Sequence, residues 1–194
     1  MSGNVLIGKG VKRGWNDYII SGLVLPTTGP NPPAISEFRD GLYGMGFVDG
    51  AIRKETYANI HILHDYKAGT LVYPHVHWSH SVAVPAGNVV WGLMFSIARG
   101  HNVQAYPVPT TIYLQQAALA QYTHHLIEAS TAQAMPATDM EPDTLVKMTV
   151  FRDPTDVNDT FAGTAFLDFI DFHVETDGFL TQEKTRPFTK LIDF

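Results

Sequence analysis

Turn chemistry constrains this chain most. Turn-forming residues recur at short intervals through its middle: Asp49-Gly50, Lys67-Ala68-Gly69, Pro85-Ala86-Gly87-Asn88, the stretch 136–142, and Asp153-Pro154. Between them lie short runs rich in β-branched and aromatic residues, the pattern of strands joined by turns. Strands are predicted at 42–48, 55–64, 70–78, 88–98, 110–116, 121–128, 144–152 and 164–176. In 88–98 the residues Val89, Trp91, Leu93, Phe95 and Ile97 alternate with smaller ones, which suits one buried face. In 144–152 Leu145 and Phe151 alternate less cleanly with Val146, Met148 and Val150, as expected where both faces are covered. Residues 115–121 (QQAALAQ) are rich in helix formers but short and flanked by β-type residues, so helix and strand both stay open there. Eight or so strands predict an all-β fold, a jelly-roll-like antiparallel β-sandwich.

Composition narrows the class. At 194 residues the chain suits one sandwich domain, placed at 38–180, and can bury a sizeable core. Residues 1–37 are dense in Gly and Pro, and the run from Leu25 to Pro33 cannot be helix or central strand, so the segment reads as an extended arm. Residues 181–194 read as a docking tail, with Phe188, Leu191, Ile192 and Phe194 as its apolar contacts. A net charge of −6 with no basic block argues against nucleic acid or an anionic membrane as partner. No run approaches a membrane span, and the N-terminal stretch lacks the apolar core of a secretion signal, so a soluble chain is expected. With 16% charged residues against 45% hydrophobic, apolar surface should remain for contact between subunits. Cysteine is absent, so a transition metal would need His and carboxylate ligands.

Those ligand types cluster. His61 to Trp78 holds four of the nine histidines and ends in Pro74-His75-Val76-His77-Trp78. In a strand His75 and His77 share a face, and so do Asp171 and His173 on a late strand. Together His75, His77, Asp171 and His173 form a candidate set for Fe(II), Mn(II) or Zn(II). The default expectation is a hydrogen-bonded polar cluster with no cofactor; a divalent metal is the alternative. Such an ion would sit within one subunit or on a three-fold axis shared by three. Gly69-(x5)-His75-x-His77 matches the opening of the cupin metal motif, but Ser81 and Val82 stand where its glutamate should be, and its second motif is missing. No nucleophile elbow, phosphate loop or dinucleotide fingerprint is present. His124 and His125 should face opposite sides of a strand, as should Asp168 and Asp171, which then cannot act as paired carboxylates.

A wider pattern runs from Trp15-Asn16-Asp17 through Leu63-His64-Asp65-Tyr66-Lys67-x-Gly69-Thr70, Pro74-His75-Val76-His77-Trp78 and Gly87-Asn88-Val89-Val90-Trp91 to Phe169-Ile170-Asp171-Phe172-His173 and Asp177-Gly178. It resembles a family of tailed-bacteriophage virion structural proteins. The resemblance implies a non-enzymatic β-sandwich subunit of the virion, assembled in the host cytoplasm. A capsid decoration or cement role is expected first, and a tail or fibre-adaptor role next. The implied partners are its own copies, as a homotrimer, and the major capsid protein or tail proteins. Two other classes compete: a cupin-like metal-dependent enzyme, and a carbohydrate-binding module stacking sugars on Trp15, Trp78 and Trp91.

Overall fold

A computed structural model describes residues 14–20 and 31–176. Ten strands follow in chain order: β1 (Gly14–Ile19), β2 (Ala34–Arg39), β3 (Leu42–Phe47), β4 (Lys54–His61), β5 (Val72–His80), β6 (Asn88–Arg99), β7 (Thr110–Ala117), β8 (His125–Glu128), β9 (Thr144–Arg152) and β10 (Ala165–Thr176). One sheet runs β2-β3-β10-β5-β8, and β1 also pairs with β10; the other runs β4-β9-β6-β7. From β3 onward the chain crosses between the sheets at every step except the β6–β7 hairpin. That order, 3-10-5-8 facing 4-9-6-7, is the eight-strand jelly roll with two strands added to one sheet.

Each of the eight predicted strands forms, within a few residues of its expected ends. The segment read as an arm contributes two strands: β1 pairs with β10 from Gly14↔Thr176 to Ile19↔Asp171, and β2 pairs with β3. The rest of that arm, residues 1–13 and 21–30, lies outside the described residues, as does the tail 181–194 with Phe188, Leu191, Ile192 and Phe194. The segment 115–121 is no helix. Gln115 and Gln116 pair with Val90 and Val89, and the ladder to the long strand β6 outweighs local helix propensity.

The core is the space between the sheets. Val72, Val76 and Trp78 of β5 and Ile170, Phe172 and Val174 of β10 meet Trp91, Leu93, Val146 and Val150 from the opposite sheet, all of them buried. On β9 both faces are covered: Val146, Met148 and Val150 point inward, while Phe151 packs outward beneath the Arg53 guanidinium. A Cβ on Gly92 would sit 2.1 Å from the Phe151 ring, so this rung has room only for glycine. At the end of β9 fully buried Arg152 uses all five donors, on Asp159, Phe47 O, Phe161 O and Gly163 O. The alternation that sends Val72, Val76 and Trp78 inward sends Tyr73, His75 and His77 to the outer face of the same sheet.

Candidate metal centre on the outer face of the six-stranded sheet

Register builds this site. Asp171 stands directly opposite His75 on β5 and Ile19 on β1, and His75 in turn stands opposite Glu128 on β8. One rung along, His173 is opposite Asp17 and Tyr73, and on the other side Phe169 is opposite His77. These residues share one parity, so four strands deliver histidines and carboxylates to one patch of the outer face. The four residues named from sequence therefore come together within a single chain. Asp17, Glu128 and His124 join them.

The centre of the patch is buried although it lies outside the core, while Asp17, Glu128 and His173 at its edge stay accessible. His75, His77 and Asp171 are only 1%, 6% and 4% exposed. Flanking rings exclude water: Phe169 stacks on His77 at 3.8 Å, His173 lies 4.0 Å from His75, and Trp15 packs on Tyr73 and near His173. Within it, Asp171 Oδ1 lies 2.7 Å from His75 Nε2 and 3.2 Å from His77 Nε2. Neither approach has hydrogen-bond alignment, so among the described residues His75 Nε2, His77 Nε2 and Asp171 Oδ1 are buried polar atoms without a hydrogen-bond partner. His75 Nδ1 shares that condition. Around them the bonds are well formed: His77 Nδ1 and His124 Nε2 share one at 2.7 Å, and His173 Nδ1 meets Glu128 at 2.8 Å. His173 Nε2 pairs with Asp17 Oδ1 at 2.8 Å, and that oxygen lies 3.9 Å from His75 Nε2. Burial pushes the His77 imidazole below its ordinary pKa, against the pull of Asp171, and the neighbouring His75 and His124 push the same way. A neutral imidazole is the form that binds metal.

Among the described residues, two groups bring three ligand atoms within 4.8 Å of one another: His75, His77 and Asp171, and Asp17, His75 and His173. His75 belongs to both. The sequence motif pointed to the histidines. Asp17 was missed because its strand lies in the Gly- and Pro-rich stretch. Glu128 and His124 were missed because their shared parity says nothing about which strand they neighbour.

Other expectations resolve individually. His124 and His125 do face opposite sides: His125 points inward, stacked on Trp78 at 4.1 Å, and its Nε2 accepts the Leu119 amide. Asp168 corrects the parity reading. A β-bulge between Leu167 and Phe169 inserts one residue, so Asp168 shares the outer face with Asp171 and accepts a 3.0 Å bond from Ser79. Trp78 and Trp91 are fully buried and cannot stack on a sugar, whereas Trp15 is exposed.

The residues that carried the family resemblance hold strands together. In the turn after β4, Asp65 accepts hydrogen bonds from Tyr18 and from Asn16 of β1. Tyr66 is wholly buried and donates to Thr70 O, Lys67 pairs with Glu175 at the end of β10, and Gly69 takes φ +85°. His64 reaches Asp143. The chain is thus a jelly roll whose most distinctive motif ties β1, β10 and the β4–β5 turn together beside a sealed histidine–carboxylate group. It matches no protein-family model, no curated protein and no solved structure.

Proposed function

We propose that this chain is a non-enzymatic structural subunit of a tailed-bacteriophage virion, a capsid decoration or cement protein in the first instance, with a tail or fibre-adaptor position as the alternative placement. The observation that carries this reading is the use made of the Leu63–Thr70 motif. Asp65, Tyr66 and Lys67 are engaged in internal ties, as befits residues that serve architecture. The sealed His75–His77–Asp171 group supports it too. A catalytic centre needs a position open to substrate, and these side chains are nearly inaccessible.

Surface character adds to this. On one side of β10, the strands β1, β2 and β3 expose Trp15, Ile19, Ile35, Leu42 and Tyr43, each more than half accessible. An apolar rim of this kind on a lone subunit favours burial against other subunits, here copies of this chain around a three-fold axis and the capsid or tail surface beneath them. Mass spectrometry of purified particles from a phage encoding the chain tests the reading. It should be found in multiple copies per particle, and its absence from particles would overturn the proposal. Saturable oligosaccharide binding by the isolated protein would favour a carbohydrate-binding module instead.

A further inference from the structure

We infer that His75, His77 and Asp171 hold one divalent transition-metal ion per chain, of the zinc class, and that Asp17 completes its coordination, so that the ion fastens β1 to the sheet. The inference stands on side-chain geometry and does not depend on the virion assignment.

Two buried imidazole nitrogens lie 2.7 and 3.2 Å from one buried carboxylate oxygen without hydrogen-bond alignment. Left so, each forfeits its solvation without replacement, at a cost of about 1–3 kcal/mol apiece. One ligand atom from each of the three residues lies within 4.8 Å of the others, close enough for a single ion to reach all three. Zn–N and Zn–O bonds of about 2.0–2.2 Å place neighbouring ligands of a tetrahedral ion roughly 3.3–3.6 Å apart, so the 3.2 Å pair is near that spacing and the 2.7 Å pair opens by about 0.6–0.9 Å to admit the ion. One of the two tautomers suits an ion: with the proton of the His77–His124 bond on His77 Nδ1, the Nε2 lone pair faces Asp171 Oδ1. In that tautomer two acceptors face one another, an arrangement that a cation between them satisfies. His75 Nδ1 stays without a partner, a cost the ion does not relieve.

With no thiol in the chain, an N/O donor set of two imidazoles and carboxylates suits zinc, cobalt, manganese or ferrous iron rather than copper(I). The same donors compete poorly for calcium or magnesium, which favour all-oxygen shells. The ion belongs at His75, His77 and Asp171 rather than at the second group, because all three of these residues are buried, whereas Asp17 is exposed and His173 already bonds Glu128. Asp17 is the next carboxylate, 3.9 Å from His75 Nε2, and a small shift brings it into the shell. Among the described residues β1 pairs within its sheet only with β10, and Asp65 bonds Asn16 and Tyr18 from the β4–β5 turn; a metal-bound Asp17 adds a further anchor. Glu128 and His173 are positioning residues that hold Asp17 in reach.

The test uses the full chain, stripped with chelator and then titrated with zinc chloride and, separately, cobalt chloride. Uptake is read by calorimetry and elemental analysis, cobalt geometry by its visible absorption, and amide exchange across Gly14–Ile19 is followed with and without zinc. The expected result is one ion per chain, a raised melting temperature and slower exchange in β1. Uptake should be lost in Asp171→Asn and in His77→Gln, while Asp17→Asn should weaken it by roughly 10–100-fold. Circular dichroism of the metal-free variants confirms that they fold. An absence of stoichiometric uptake by the wild-type chain, or uptake unchanged in both Asp171→Asn and His77→Gln, overturns the site. One third of an ion per chain overturns it in favour of an axial site shared by three subunits. Zinc uptake that leaves β1 exchange unchanged overturns the role of Asp17.

Discussion

Two carboxylates in this molecule are ringed by histidines, and they solve the same electrostatic problem in opposite ways. Asp143 lies in the loop before β9, at φ +62°, with a side chain about a quarter exposed. His61 and His101 reach its two oxygens at 2.9 and 2.7 Å in aligned hydrogen bonds, and His64 stands 3.4 Å away. Burial alone would push the Asp143 carboxyl up, but the bonds from His101 and His61 and the nearness of His64 hold it below the ordinary carboxylate value. Its partners spread over both oxygens and face solvent, and they do not form one of the groups whose ligand atoms all converge. Asp171 has comparable neighbours and nearly no solvent, and among the described residues its Oδ1 has no aligned bond. Residue type does not separate an ion-pair cluster from an ion-binding one. Alignment and exposure do.

The largest effect that would break this contrast concerns Asp171. With zinc at a thousandfold excess over its Kd, Asp171→Asn forfeits about 4.1 kcal/mol of linked stabilisation. In a chain of this size that is roughly 8–16 °C of melting temperature. Without metal the same substitution should be neutral or stabilising, since it removes a buried charge whose Oδ1 lacks an aligned partner. Thermal melts of both proteins with zinc and with chelator check the sign reversal.

An acid titration of stability separates the buried histidines from Asp143. Burial pushes the imidazoles of His80 and His125 below their ordinary pKa. The unfolded chain therefore takes up their protons first, and stability falls as pH drops below about 6.5, by up to about 1.4 kcal/mol per pH unit for each. The Asp143 carboxyl is also held low, so its contribution persists through that range and is lost only below its ordinary value near 3.8. Chemical unfolding across pH 7 to 3 on chelated protein should show the first decline clearly, and Asp143→Asn should leave it unchanged.

The smallest effect is that of Asp143→Asn on stability near neutral pH. Asparagine tolerates the positive φ, and partly exposed ion pairs are worth about 0.2–1 kcal/mol. A fall of no more than roughly 2–4 °C is expected, with zinc uptake intact. A larger loss, measured by the same melts, would make the Asp143 cluster a principal strut and blur the contrast.

Much of this was legible in the sequence, for a physical reason. Side-chain parity is a local property, so the spacing of His75 with His77 and of Asp171 with His173 was enough to give each pair a common face. That the two pairs meet depends on the register Asp171↔His75, which is set by jelly-roll topology. The eight core strands declared themselves through turn residues and alternation. β1 and β2 did not, because their flanks are rich in Gly and Pro and their pattern is mostly exposed. Asp168 was misassigned for a related reason: parity counts fail across a bulge, and nothing in Phe166-Leu167-Asp168-Phe169 announces one. The helix-former content of 115–121 misleads in the other direction, since pairing with β6 decides the conformation of Gln115 and Gln116.

The measurement that bears most directly on the central claim is anomalous diffraction at the zinc absorption edge, from crystals of the full chain grown with zinc. The account predicts one anomalous peak per chain, lying between His75 Nε2, His77 Nε2 and Asp171 Oδ1 with Asp17 drawn toward it, and none at Asp143. An empty His75–His77–Asp171 group beside a zinc-occupied Asp143 cluster, or no peak at either, would contradict it.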